Sequence, residues 1–243
     1  MSTRIVAFVG ATGGAGTTRL TVESAALLAA TGQSVAVFDA AVQTQGLAAY
    51  TEQRIDTDLT ALLTEAAELD AALYGMDLGL PGVVNLCPAW APFERLARAK
   101  TAGAANRFEQ QLAAAALSHD TVLIDTPPIG GNQAIAAVNA ADRIGVVAPD
   151  SPRGRDGVAL TRERLTDIGV GDDLVIANRS AAERLDADVR VPEIEATDPT
   201  RAPSCVPADE RFTPAVLAVV EQLVGVDLDI ELPDSGRLSG LLQ

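Results

Sequence analysis

The stretch Ile5-Val6-Ala7-Phe8-Val9-Gly10-Ala11-Thr12-Gly13-Gly14-Ala15-Gly16-Thr17-Thr18-Arg19-Leu20 decides the fold. Its apolar, β-branched opening (residues 5–9) reads as a buried parallel strand. A glycine-rich turn follows. An alanine-rich helix then begins near Thr17 and runs to Ala30, with Gly32 as its stop. Strand, glycine loop and helix form a cradle for phosphate. The glycines let consecutive N–H groups point inward, and the helix N-terminus adds partial positive charge.

Working outward, two more strands end in carboxylates. Residues 34–38 lead to Asp39, and residues 121–124 lead to Asp125-Thr126-Pro127-Pro128. Ligands of open α/β sheets bind at such C-terminal strand ends. The rest of the chain alternates in the same way. A helical pair is expected over 58–72 with Asp58 as N-cap, and a strand over 83–86. Helices are expected over 104–117, 132–140, 151–165 and 212–224, and strands over 143–149, 174–179 and around Val191. This pattern predicts one α/β domain over residues 1–225, with a mostly parallel, twisted sheet of about seven strands and helices on both faces. Residues 226–243 read as an acidic, flexible tail.

The loop resembles the deviant P-loop of the MinD/ParA family, whose pattern runs Lys-Gly-Gly-x-Gly-Lys-Thr-Thr. The matching window is Thr12, Gly13, Gly14, Ala15, Gly16, Thr17, Thr18 and Arg19. All three glycines and the first threonine of the pair are present. Thr12 stands in place of the signature lysine and Thr17 in place of the phosphate-gripping lysine. Asp39 matches the first aspartate of the family's first switch, but the second, whose carboxylate orients the attacking water, is replaced by Ala41. Asp125-Thr126-Pro127-Pro128 is similar to the second switch. Asn178-Arg179 is similar to the adenine-reading position, and Val191-Pro192-Glu193 to the loop flanking the base.

The resemblance implies a P-loop fold that binds ATP through residues 12–19, Asp39, Asn178 and Pro192. It implies Mg²⁺ held by Thr18 and Asp125. Loss of one electrostatic group typically costs ~10²–10³ in rate, and three such positions are replaced here. The reading therefore leans away from an active ATPase. It favours a non-hydrolysing regulatory or spatial-organisation factor that works through protein partners. The alternative is a working switch in which Arg19 or a partner's arginine replaces the lysine. In the family the signature lysine reaches across a nucleotide-sandwich homodimer. Thr12 carries no charge, so that sandwich is not expected.

Net charge is −15, and Lys100 is the sole lysine among 18 basic residues. This acid-rich, lysine-poor composition resembles that of a halophile's cytosolic protein. It disfavours nucleic acid as a partner. Cys87, Cys205 and the single histidine, His119, form no metal-ligand spacing. No signal peptide or membrane-spanning run is expected, and Arg237 is the only basic residue of the tail, which leaves no stable membrane anchor. A cytoplasmic location follows. Trp90 and Phe93 read as packing or partner contacts, His119 as a solvated or capping residue, and the arginines of 151–165 as a solvated face with i,i+4 pairs.

Overall fold

The computed structural model describes residues 4–225 and 228. The tail expected over 226–243 otherwise lies outside the described residues.

The chain begins as expected, with β1 (Arg4–Gly10) feeding α1 (Thr17–Ala30). It continues through β2 (Ser34–Asp39), α2 (Leu59–Thr64), β3 (Tyr74–Met76) and β4 (Val83–Cys87). Then come α3 (Phe93–Ala99), α4 (Ala102–Ala115), β5 (Thr121–Thr126) and α5 (Asn132–Ala140). The remainder is β6 (Arg143–Pro149), α6 (Pro152–Ile168), β7 (Leu174–Ser180), β8 (Val189–Pro192) and α7 (Phe212–Val224). The strands form one sheet in the order β3-β4-β2-β5-β1-β6-β7-β8. Every pairing is parallel except that of the edge strand β3 with β4.

Because the inner strands are buried on both faces, they carry unbroken apolar runs. Val6 to Val9, Val35 to Phe38 and Val122 to Ile124 are all at most 1% exposed. One face packs under α1 and α7, and the other under α2 to α6. Phe38 and Phe108 meet across the second layer, their ring centroids 6.2 Å apart.

The sheet has eight strands among the described residues, one more than expected. The addition is β3, three residues with a central glycine, too short to show an alternating pattern. The helical pair over 58–72 is corrected to one short α-helix and a 3₁₀ turn over Leu69–Ala72, because the chain turns extended at Glu65. Asp58 caps α2 as expected, accepting from the Ala61 N–H at 3.2 Å. Of the two expectations for His119, solvated or capping, the structure supports the second. His119 is buried at the end of α4, its Nδ1 3.1 Å from the Ala115 carbonyl oxygen and its Nε2 3.1 Å from the Asn85 amide. Among the described residues the arginine face of α6 is not laced by i,i+4 pairs. Arg162 instead forks onto Asp172 beyond the helix end. Trp90 and Phe93 are 57% and 81% exposed, so packing does not account for either.

Candidate functional site

The site lies at the C-terminal ends of β1, β2, β5 and β7. Leaving β1, the Ala11 N–H bonds the Val147 carbonyl of β6 at 2.8 Å. The chain then loops through Thr12–Gly16 into α1. Gly16 caps that helix at φ +84°, in the left-handed region that glycine enters freely, and no side chain caps the helix end. The first amides of α1 therefore have no partner in their own helix. Open space lies over Gly13 and Gly14, where a Cβ would meet nothing within 4 Å. A backbone cradle of this kind suits a phosphate group.

The positions that carry lysine in the family hold small hydroxyl side chains. The Thr12 hydroxyl is buried and has no hydrogen-bond partner among the described residues, and its methyl sits against Gly157 of α6. A Cβ at Gly157 would lie 2.7 Å from that methyl and 2.8 Å from the Ala11 carbonyl oxygen, so only glycine lets α6 approach the loop. Thr17 turns its hydroxyl back toward Gly10. Arg19 does not extend toward the cradle. Its Nε holds Glu23 at 2.5 Å, and its terminal nitrogens hold the Ser204 hydroxyl at 2.6 Å and the Asp198 carbonyl at 3.3 Å. The expectation that Arg19 could stand in for the lysine is thereby corrected, since its guanidinium is committed to a clamp on the 198–205 loop. Glu23 completes the clamp. Fully buried, it also accepts from the backbone N–H groups of Ser204 and Cys205.

On the switch side, β2 and β5 bring Asp39 and Asp125 directly opposite each other. Both are buried. Asp125 accepts from the Thr18 hydroxyl at 2.6 Å. Asp39 accepts from the Leu47 N–H at 3.3 Å, while its other oxygen is buried and unpartnered among the described residues. Burial, and then the facing charge of Asp125, pushes the Asp39 carboxyl well above the usual carboxylate range; burial raises Asp125 as well. No arginine or lysine pairs with either among the described residues. Two carboxylates and a hydroxyl with an unsatisfied oxygen form a donor set for a hard divalent cation. Ala41 is buried in the wall of an adjoining cleft of about 340 Å³ between residues 40–44 and 127–134.

The base-side residues also converge. Asn178 donates to the Ala15 carbonyl at 2.9 Å and accepts from the Arg179 N–H at 3.0 Å. Arg179, at φ +52°, donates to the Gly14 carbonyl. The pair therefore clamps the glycine loop itself. Beside it lies a largely apolar cavity of about 190 Å³, walled by Leu20, Asn178, Pro192, Ile194 and Phe212. Sequence reasoning missed Glu23, Ser204 and Tyr50. Burial pushes the Tyr50 phenol up to about 12, and Arg19, Asp125 and Glu23 are the charges that act on it. None of these three carries a motif; the buried acid in the middle of α1 was the one available signal.

A family model described as an AAA domain matches residues 3–168, well over half of the chain. The chain belongs to this AAA-domain family. Its fold is shared with solved structures of low sequence identity. The septum site-determining protein MinD of Pyrococcus horikoshii, complexed with Mg-ADP, is 19% identical, with a TM-score of 0.76 over 94% of this chain and 100% of that one. A ParA-family ATPase of Chlorobium tepidum is 15% identical, with a TM-score of 0.72 over 90% and 99%. Cobyrinic acid a,c-diamide synthase of Mycobacterium smegmatis, with bound ADP and magnesium, is 20% identical, with a TM-score of 0.68 over 95% and 100%. No curated protein matches the sequence. Among the described residues no helix is long and apolar enough to cross a membrane.

Proposed function

We propose that this P-loop protein binds ATP and a divalent cation without hydrolysing the nucleotide, and acts as a regulatory or positioning factor through partner proteins. One observation carries the reading. The backbone cradle and the carboxylate–hydroxyl set are both present, yet the lysine positions hold Thr12 and Thr17, and the two nearby guanidiniums are committed elsewhere, Arg19 to Glu23 and Arg179 to the Gly14 carbonyl. The amides of residues 13–18 would hold the phosphates, and Thr18, Asp39 and Asp125 would hold the cation. When bound, the cation offsets the charge of the two carboxylates and of the phosphates. Ala41 offers no carboxylate to orient a water. Phosphoryl transfer is catalysed almost entirely by positioning and electrostatics, so a site lacking these groups retains recognition without turnover. The MinD and ParA-type neighbours suggest a role in spatial organisation.

Two measurements test this reading. ATP titration in concentrated KCl should show binding that weakens when Mg²⁺ is withheld. Radiolabelled ATP should show no turnover by the wild type, and the Thr17→Lys, Ala41→Asp double variant should gain it. Family-like turnover by the unaltered chain would defeat the proposal.

A further inference from the structure

The face of α3 and the start of α4 presents features the nucleotide site does not use. Trp90, the chain's single tryptophan, and Phe93, three positions on, are more than half exposed. Residues 90–107 hold four basic residues (Arg95, Arg98, Lys100 and Arg107) and one acid, Glu94, a local charge of +3 on a chain of −15. Arg95 is occupied by Asp58 at 2.9 Å. Arg98 reaches Glu65 only at 3.9 Å, and neither Lys100 nor Arg107 has a carboxylate within salt-bridge distance among the described residues. Two depressions flank the helix. One of about 500 Å³ is bordered by Ile55 and Trp90, with the exposed Arg54 on its rim. The other, of about 320 Å³, is bordered by Arg98, Thr101 and Arg107.

We propose that this face docks an acidic protein segment carrying apolar side chains. Its apolar groups would cover Trp90 and Phe93, and its carboxylates would pair with Arg98, Lys100 and Arg107. Exposed aromatics beside arginines are the residue types that dominate interface energetics. On a chain of net −15, a basic island selects for an acidic partner by complementarity. Two concave depressions suit inserted side chains better than a flat headgroup surface. The inference does not rest on nucleotide binding.

The test is selection of a random peptide display library against the full-length protein, with the enriched peptides resynthesised and titrated by Trp90 fluorescence. Enrichment of peptides mixing Asp or Glu with Leu, Ile or Phe is expected. Their affinity should fall by about tenfold or more in both the Trp90→Ala, Phe93→Ala variant and the Arg98→Glu, Arg107→Glu variant. For the former, which lacks the tryptophan, affinity is read by anisotropy of labelled peptide. Circular dichroism melts matching the wild type show that both variants fold. Enrichment of non-acidic peptides, or binding indifferent to these substitutions, overturns the proposal. So does sedimentation with phosphatidylserine-containing vesicles, or binding to duplex DNA, that is lost in the same variants.

Discussion

The two halves of the nucleotide face are built in opposite ways. On the base side, polar groups are spent on rigidity: Asn178 and Arg179 grip the glycine loop, and Arg19 with Glu23 straps the 198–205 loop to α1. On the switch side, Asp39 and Asp125 face each other with an oxygen left unpaired, beside the apolar wall that includes Ala41. One half is self-satisfied and holds its shape unaided. The other concentrates negative charge and is completed only by something from outside. The contrast teaches that recognition and chemistry are separable here, because one half holds its shape through internally satisfied bonds while the other gathers charge that only an added group can balance.

The rigid half should yield the largest effects. Gly16→Ala would place a methyl at φ +84° against the Asn178 amide. Backbone strain plus loss of the bond to Ala15 is expected to cost about 3–4 kcal/mol, read by urea denaturation. A loss below about 1 kcal/mol would show that the loop is not locked. Arg19→Ala should follow closely. Glu23, fully buried, would keep two backbone donors and lose its cation. Breaking such a pair costs roughly 3 kcal/mol. If the clamp is only structural decoration, Arg19→Ala will melt with the wild type.

The switch half predicts a pH dependence of the metal-free protein. Burial and mutual repulsion raise the Asp39 carboxyl from 3.8 to about 8 in the folded chain. Between those values the folded state holds a proton that the unfolded state has released, so stability falls as pH rises through that window. Stability should decline progressively across the whole window. Mg²⁺ should restore it at neutral pH, and Asp39→Asn should flatten the profile. A flat profile in the wild type, or no Mg²⁺ effect on melting, would mean that the pair is not a cation site.

How much of this was legible in the sequence follows from the same contrast. Motif residues 12–18, Asp39, Asp125 and Asn178 were readable because strand–loop–helix periodicity places them at strand ends, and the structure does gather them there. The commitment of Arg19 was not readable. It depends on Ser204 and Asp198, about 180 positions away, which no local pattern connects to α1. β3 escaped because three residues around Gly75 carry no period. The capping role of His119 was legible because it follows the last turn of α4, whereas its contact with Asn85 on β4 was not.

The smallest effect should come from the exposed face of α3. Phe93 is 81% exposed and lies at the first position of that helix. Phe93→Ser should alter stability by less than about 0.5 kcal/mol, as surface changes remote from buried groups do. Trp90 differs in one respect. Its N–H donates to Asp58 at 2.7 Å, and the next carbonyl, of Ala91, accepts from Gln45 at 3.2 Å in the segment that runs from Asp39 to Leu47. The turn carrying Trp90 is therefore bonded to the incomplete half of the site. Filling the carboxylate pair with Mg²⁺ should shift Trp90 emission in the wild type and do so much less in Gln45→Ala, while leaving Phe93→Ser unchanged from wild type. Emission that ignores Mg²⁺ would uncouple the surface from the switch and leave the two halves of the molecule independent.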